Sequence, residues 1–597
     1  MNRKPKRNLK PFFAGGLLAI ALATTASIGV AHASTAAIYG GGPFYSGGQS
    51  VMNAVRLSGY NTVVLWTIHI NSSNGDLVLN DQLVASNGSY VGNAAWPGLL
   101  ASLRQQPTSV NRIEICVGSW GVDDFGSART LMNTQGTGST SILYRNFQAL
   151  KNATGADAIN FDDEVLYDAT ATVRFGQMLG AIGYKVSLCP YTNTGFWQSV
   201  KSQLGSTVDA VYLQCYDGGA GNNPATWNSL FGGLKVIPGV WGRHNNNSAG
   251  DTPDTVQSKM AGWRSSAGTN GGFIWLYDDV QNTANGYGPI EYASAIHAAY
   301  GDAKPAFQIV NQNSGKALDL IGGSLGNSSR INQWSFDANG KNQRWIPYPS
   351  EGGNHFILVS GVSGRAASIE NDSTADGAQL QAYDYTGNDT SQQWDLLDAG
   401  SGWFNIRNVR SGKVLDVLNF NTADDGKIQQ WTNSNNTAQR FRLQPWGNYF
   451  IRAASGKCIC VQGAGSSNGN GIIQYTQQDN PWFKWRFEGV GDGNLRTTSL
   501  NATGRVLCVV GGSATAAANC HLWDYNPANA GDQKVRIVPQ LNGRYKFYFV
   551  HDGRAGTSPA ARPATTCPCS SIRTTATTGR SSLWRERRDA TGEGVDL

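Results

Sequence analysis

Short apolar runs recur through the first half of the chain at a near-constant interval. They are Ala36–Tyr39, Thr62–Trp66, Arg112–Val117, Asp157–Asp162, Lys185–Cys189, Asp209–Gln214, Lys235–Val240 and Gly272–Leu276. The first and last begin 236 residues apart, over seven steps of about 34 residues. Each step has room for a strand, a loop, a helix and a return. Ile142–Asn152 and Thr170–Ile182 carry helical patterns inside two of the steps. Eight strand-helix units in about 265 residues predict a (β/α)8 TIM barrel. A doubly wound open sheet is the alternative, but it has fewer strands and a Gly-rich phosphate loop. No G-x-G-x-x-G opens a helix here.

The second half has a different pattern. The triplet Ser/Thr/Asp-Gly-Lys/Arg starts at Ser314, Ser363, Ser411, Ser455, Thr503 and Asp552, with spacings of 49, 48, 44, 48 and 49. Gln-x-Trp or its relic closes each unit, at Gln343-Arg344-Trp345, Gln392-Gln393-Trp394, Gln439-Arg440-Phe441, Trp485-Arg486-Phe487 and Gln533-Lys534-Val535. A fixed period marks a repeat architecture. Gly, Asn and short β runs exclude a helical solenoid, whereas a propeller blade has similar length. The fold class expected is therefore α/β plus all-β.

Residues 1–33 read as an export leader. Arg3, Lys4, Lys6, Arg7 and Lys10 precede an apolar run from Phe12 to Ala23, and Ala31-His32-Ala33 forms a cleavage site. The apolar run is short for a membrane span, so cleavage after Ala33 and an extracellular product are expected. The formal charge of +6 contains these five cations, and about +1 is left without them. No basic domain remains, so the electrostatic footprint of a nucleic-acid binder is missing. The 73 glycines, together with 18 Trp, 22 Tyr and 21 Phe, suggest turn-rich β structure and aromatic-lined surfaces. The nine cysteines form no paired C-x-x-C, so neither a zinc site nor another metal or cofactor is implied. Cys508 and Cys520 are close enough in sequence for a local disulfide. Cys116, Cys189 and Cys215 fall on strands as buried thiols.

Catalytic groups of such a barrel stand where strands end. The fourth run ends Asp157-Ala158-Ile159-Asn160-Phe161-Asp162-Asp163-Glu164. With a strand period of two, Asn160, Asp162 and Glu164 share one face and Asp163 points away. Neighbouring carboxylates cannot both ionise cheaply, which keeps a proton available for general-acid work. An acidic cluster at a helix N-terminus is the other reading.

The octapeptide resembles the D-x-x-D-x-D-x-E signature of glycoside hydrolase family 18, the chitinases and endo-β-N-acetylglucosaminidases. Asn160 stands where chitinases carry Asp. The runs ending Leu213-Gln214-Cys215-Tyr216-Asp217 and Phe273-Ile274-Trp275-Leu276 are similar to the family's sixth and eighth strands, and Ala37-Ile38-Tyr39 fits its first. Cys116-Val117-Gly118-Ser119 replaces an S-x-G-G motif. The resemblance implies substrate-assisted hydrolysis, in which the sugar's N-acetyl group is the nucleophile. Glu164 would be the acid and then the base. Asp162 would orient the acetamido group, Tyr216 would donate to its oxygen, and Asn160 would hydrogen-bond Asp162. Trp275 would stack under the sugar, with Tyr39, Gln214, Asp217 and Asp157 in the substrate site. Only about 31 residues separate Val240 from Gly272, so no inserted domain is expected there and the cleft should be open. Chitin, the N-glycan chitobiose core and peptidoglycan all present the required N-acetyl group.

The repeats resemble ricin B-type lectins, three of which build one β-trefoil. Residues 304–446 would form a first trefoil, following a barrel over 34–303. Residues 447–554 would form a second, incomplete one. The resemblance places sugar contacts at Asp319, Asn332, Trp334, Asn342 and Gln343, and at Asp416, Gln429, Trp431 and Gln439. Ser368 leaves the platform Tyr383 without its acid, and Cys460 and Cys508 replace the acid in the fourth and fifth repeats. Trp345 and Trp394 would belong to the core. Residues 555–597, which include Cys567-Pro568-Cys569, break the pattern and are expected to be a structureless tail, leaving the second trefoil the least stable part. The combined expectation is a secreted, monomeric glycosidase acting beside N-acetylglucosamine, held to its glycan by the lectin part, with no nucleic-acid or membrane partner. A glycan-binding protein with an inactive barrel is one alternative. A glycosidase with two carboxylates from different strands is another.

Overall fold

A computed structural model of the chain describes residues 34–551, apart from 245–247, 282–286, 338–339, 388, 454, 479, 516–517, 529 and 543. It also describes the backbone of 555–557, 567–568 and 570–572. The expected leader over residues 1–33 and the rest of the tail lie outside the described residues.

Eleven strands make up the first sheet: β1 (Thr35–Gly40), β2 (Thr62–Ile70), β3 (Leu77–Leu79), β4 (Gln82–Ser86), β5 (Ser89–Tyr90), β6 (Arg112–Val117), β7 (Ala158–Phe161), β8 (Lys185–Leu188), β9 (Val208–Gln214), β10 (Ile237–Trp241) and β11 (Gly271–Trp275). Eight of them, in the order β1-β2-β6-β7-β8-β9-β10-β11, pair in parallel and close through β11 back onto β1. All eight fall on the apolar runs. Helices occupy the connections, including Ile142–Thr154 and Ala169–Ile182. The second of these starts at Asp168, whose carboxylate accepts from Ala171 N at 3.1 Å, and stops at Gly183, whose φ of 99° needs no Cβ. The antiparallel excursion β3–β5 was not anticipated. It arises because β2 runs on to Ile70 and turns through the polar segment Asn71–Asp76, a turn signal the apolar pattern does not register.

The barrel is filled, not hollow. Ala37, Tyr39, Val64, Cys116, Tyr212 and Phe273 meet inside it. A Cβ on Gly239 would stand 2.0 Å from the Phe273 ring, so the glycine makes room for that ring at the axis. A polar line crosses the same interior. Tyr212 donates to Glu114 at 2.6 Å, Ser187 donates to the other Glu114 oxygen, and Asn160 donates to Ser187 at 2.8 Å. Arg112 lies 2.6 Å from Glu114 and compensates the buried charge.

The repeats build β-trefoil structure, and the sequence marks have simple roles. The glycine of each of the first five triplets sits at positive φ (67° at Gly315, 72° at Gly412), turning the chain into the next strand. In the first, third and fourth triplets the serine holds a glutamine on the second strand that follows: Ser314 to Gln333 at 2.7 Å, Ser411 to Gln430 at 2.6 Å and Ser455 to Gln474 at 2.7 Å. The Gln-x-Trp indoles are core, as expected. Trp345, Trp394 and Trp485 are fully buried and donate to the carbonyls of Leu318, Ala367 and Ile459 at 3.1, 3.0 and 2.9 Å.

Three short pieces of the tail are strands where a structureless segment was expected. Ala555–Thr557 pairs with Ser570–Ile572, which also lies along Ala518–Asp524, and Cys567–Pro568 lies beside Ile472–Tyr475. The edges of Ile472–Tyr475 and Ala518–Asp524 offer backbone groups that any extended segment can satisfy, whatever its side chains. Cys508 and Cys520 form no disulfide. In the strand register Cys508 faces His521 and Cys520 faces Val509, so adjacent positions send the two thiols to opposite faces. Cys116, Cys189 and Cys215 are buried thiols.

The barrel and first trefoil share a buried seam. Leu57 packs with Ile346, Tyr348, Ile357, Val359 and Tyr385, and Tyr348 donates to the Leu57 carbonyl at 2.9 Å. Phe307, Phe404 and Leu443 of the first trefoil enter the core of the second. Among the described residues, no helix is long and apolar enough to cross a membrane.

Candidate functional site

A cleft of about 520 Å³ opens at the C-terminal ends of the barrel strands. Asp162 follows β7 directly, held by a backbone bond to Val117 O at 2.9 Å, and Glu164 lies two residues on. Both line the cleft, with Gln214, Tyr216, Asp217 and Trp275. Gln214 Nε2 donates to Asp162 Oδ1 at 3.2 Å and to Glu164 Oε1 at 3.1 Å. Asp163 turns away, as the strand period requires, and accepts from the backbone of Val165, Leu166 and Tyr167.

The electrostatics follow from this arrangement. Asp162 is 4 % exposed, and burial pushes its carboxyl well above the usual range. The Glu164 charge and the hydrogen bond between the two carboxyls push it further. Burial also raises Glu164, while its bonds from Gln214 and Asp162 pull the other way. The pair therefore holds one proton to higher pH than separate carboxylates would.

Tyr216 and Trp275 stack with ring centroids 6.2 Å apart and planes 20° apart. Trp66 meets Trp275 edge-on at 5.1 Å. Trp66, Trp120, Tyr191 and Trp241 also line the cleft, and Trp120, 82 % exposed, stands at its lip. Sequence reasoning passed over these four. Trp66 ends the apolar run on β2 and Trp241 directly follows the one on β10, so a signal was available for these two, whereas Tyr191 and Trp120 stand in the loops after β8 and β6.

Three expected site residues are placed elsewhere. Asp157 precedes β7 at the opposite rim, paired with Arg104 at 2.5 Å and accepting from Ile113 N at 2.8 Å. A residue at a strand's start cannot reach the cleft at its end. Asn160 does not hydrogen-bond Asp162. It lies one inward layer deeper, donates to Ser187 and accepts from Tyr39 at 3.2 Å. Tyr39 is fully buried beneath the cleft and supports Trp275, with centroids 5.7 Å apart.

The first trefoil carries a second kind of site. Asp319 accepts from Asn342 Nδ2 at 2.8 Å and Gln343 Nε2 at 3.0 Å, and the Trp334 face stands open beside it, 43 % exposed. Burial raises the Asp319 carboxyl and the two amides oppose the rise. Asp416 accepts from Gln429 at 2.9 Å beside Trp431, which is 42 % exposed. Gln439 closes this turn by accepting from Ser434 N at 2.8 Å. Asn332 is not gathered into the first group. Its amide donates to Asp425, its oxygen accepts from Gln379 at 3.3 Å, and only 3 % of it is exposed. Ser368 stands at the acid position of the second repeat, opposite Gln381 and on the strand that faces Tyr383.

The profile of ricin-type beta-trefoil lectin domain-like proteins matches residues 298–383, 348–431, 390–475 and 437–523. The C-terminal half of this chain carries ricin B-type β-trefoil lectin repeats. Among solved structures, this chain is similar to the designed three-fold symmetric protein ThreeFoil, with 37% identity over 23% of this chain and 96% of that one, at a TM-score of 0.22. An exo-beta-1,3-galactanase from Clostridium thermocellum is 35% identical over 23% of this chain and 30% of its own, at 0.22. The Macrolepiota procera ricin B-like lectin, solved with lactose, is 24% identical over 24% of this chain and 94% of that one, at 0.21. No curated protein matches the chain. The repeats over 298–523 are of the carbohydrate-binding ricin B type.

Proposed function

We propose that the barrel is a glycoside hydrolase of the family 18 kind, acting beside an N-acetylglucosamine unit and held to its glycan by the lectin repeats. The observation that carries this reading is the pair Asp162–Glu164, bridged by Gln214, at the bottom of an aromatic-walled cleft. The chemistry follows. Glu164, the more accessible carboxyl, gives its proton to the glycosidic oxygen as the bond to C1 breaks. The substrate's acetamido oxygen attacks C1, and the positive charge this creates lies against the Asp162 carboxylate. Water then attacks C1, Glu164 takes its proton, and the oxazolinium ring reopens. Tyr216 and Trp275 supply flat faces for the pyranose. Lectin binding raises the local concentration of chain ends or branches near the cleft. An exported product fits this reading.

One observation favours a second reading, a barrel that holds glycans without cutting them. Asn160 is bound into the barrel interior and gives Asp162 no proton partner from below. Hydrolysis of a chromogenic chitobioside separates the two. Turnover by the wild type that falls by about 10²–10⁴-fold in Glu164→Gln supports the hydrolase. No turnover by the wild type leaves the binding protein.

A further inference from the structure

The fifth repeat keeps the exposed platform of the first but carries its carboxylate on the turn instead of the strand. In the first repeat, Asp319 lies on one strand opposite Asn332, and the platform Trp334 lies opposite Ala317. The same register places Cys508 opposite His521 and Trp523 opposite Val506. Trp523 is 44 % exposed, within two points of Trp334 and Trp431. The strand position that should hold the acid holds a thiol, which cannot replace a carboxylate as a hydroxyl acceptor. The turn position that holds Asn342 in the first repeat holds Asp532 here. Cys508 donates to Asp532 Oδ2 at 3.3 Å across the gap that Asn342 and Asp319 span in the first repeat. Donor and acceptor have exchanged walls of one pocket.

The surrounding turn is kept. Gln533 donates to Asp524 O at 2.9 Å and accepts from Asn526 N at 2.8 Å, as Gln343 does with Ser335 O and Asp337 N. His521 extends the aromatic face, its ring stacked on Trp523 at 5.0 Å and 26°. The fourth repeat lacks these features: Ile473 faces Cys460 and Trp482 occupies the turn position, so that pocket is apolar.

We propose that Asp532, His521 and Trp523 form a pyranose-binding site, with the sugar's C–H face on Trp523 and two adjacent hydroxyls on the Asp532 carboxylate. This rests on the lectin reading of the C-terminal half, and the test keeps the two apart. Full-length protein is passed over agarose bearing galactose, N-acetylgalactosamine or N-acetylglucosamine. A variant with Asp319→Ala and Asp416→Ala should still be retarded on at least one column. Adding Asp532→Asn or Trp523→Ala should abolish that retardation at an unchanged melting temperature. Adding Cys508→Asp together with Asp532→Asn should restore it, because the carboxylate then returns to the strand. Retention of the wild type but not of the Asp319→Ala, Asp416→Ala variant overturns the proposal and leaves the lectin reading standing. Residual retention that is indifferent to Asp532→Asn overturns it as well. A wild type that passes every column overturns both.

Discussion

Gln214 Nε2 stands 3.1 Å from Glu164 Oε1, a donor from β9 reaching a carboxylate that follows β7. The same nitrogen serves Asp162, so one neutral amide from two strands away orients both acids. A charged donor would have drawn the proton off the pair. An amide holds the geometry and leaves one proton to be shared.

Replacing Gln214 by Leu therefore has a directional effect. It withdraws a bond made to the ionised forms, so both titrations of the pair move to higher pH. The pH profile of kcat/KM on a chitobioside should shift upward on both limbs. Loss of orientation should lower the rate at its optimum by about 10–100-fold. A profile that keeps its position would remove Gln214 from this role.

In the first trefoil, acid and platform must occur together. Asp319→Ala leaves the Asn342 and Gln343 amides without their buried acceptor, a loss of about 1–3 kcal/mol, and should weaken glycan retention about 10–100-fold. Tyr383→Ala, at the repeat whose acid position is Ser368, should change retention by less than about twofold. Neither should alter turnover of a small soluble substrate, which affinity chromatography and a kinetic assay would report separately.

Glu291 gives a pH signature of stability. It opens the helix Pro289–Tyr300 and accepts from Gly288 N at 2.8 Å. Its Oε1 is buried without a hydrogen-bond partner among the described residues. Burial pushes the carboxyl up to about 7, although Lys341 and Arg344 pull it down. A folded value above the unfolded one means stability that is full below about 4.3 and lost as pH rises through 7. Glu291→Gln keeps the bond to Gly288 and removes the titration. Its melting temperature should match the wild type near pH 4 and exceed it by a few degrees at pH 8. Parallel curves for the two proteins would contradict this.

Much of the architecture was legible from periodicity. The eight parallel strands fall on the eight apolar runs because strands buried on both faces must be nearly continuous in apolar residues. The trefoil marks were legible because each repeat has to rebuild the same turn and fill the same core position, with an indole at Trp345, Trp394 and Trp485 and a smaller apolar group at Phe441 and Val535. The cleft was only partly legible. Asp162, Glu164, Gln214, Tyr216 and Trp275 came out together, since strand ends converge. Asp157 and Asn160 were misplaced because a linear motif says nothing of depth along the barrel axis. The lip residue Trp120 was passed over because it lies in a loop with no period.

What the sequence by itself determined here is spacing: which positions share a face, where each repeat begins and which residues alternate inward. Only the tertiary structure decided which side chains meet. Asn160 could have faced Asp162 or Ser187, and the register of β7 with β8 selects Ser187. Asp532 gained meaning when the turn brought it opposite Cys508, 24 residues away in the chain. Local order follows from backbone periods of a few residues, whereas a site forms from groups whose separation is set by how distant segments pack.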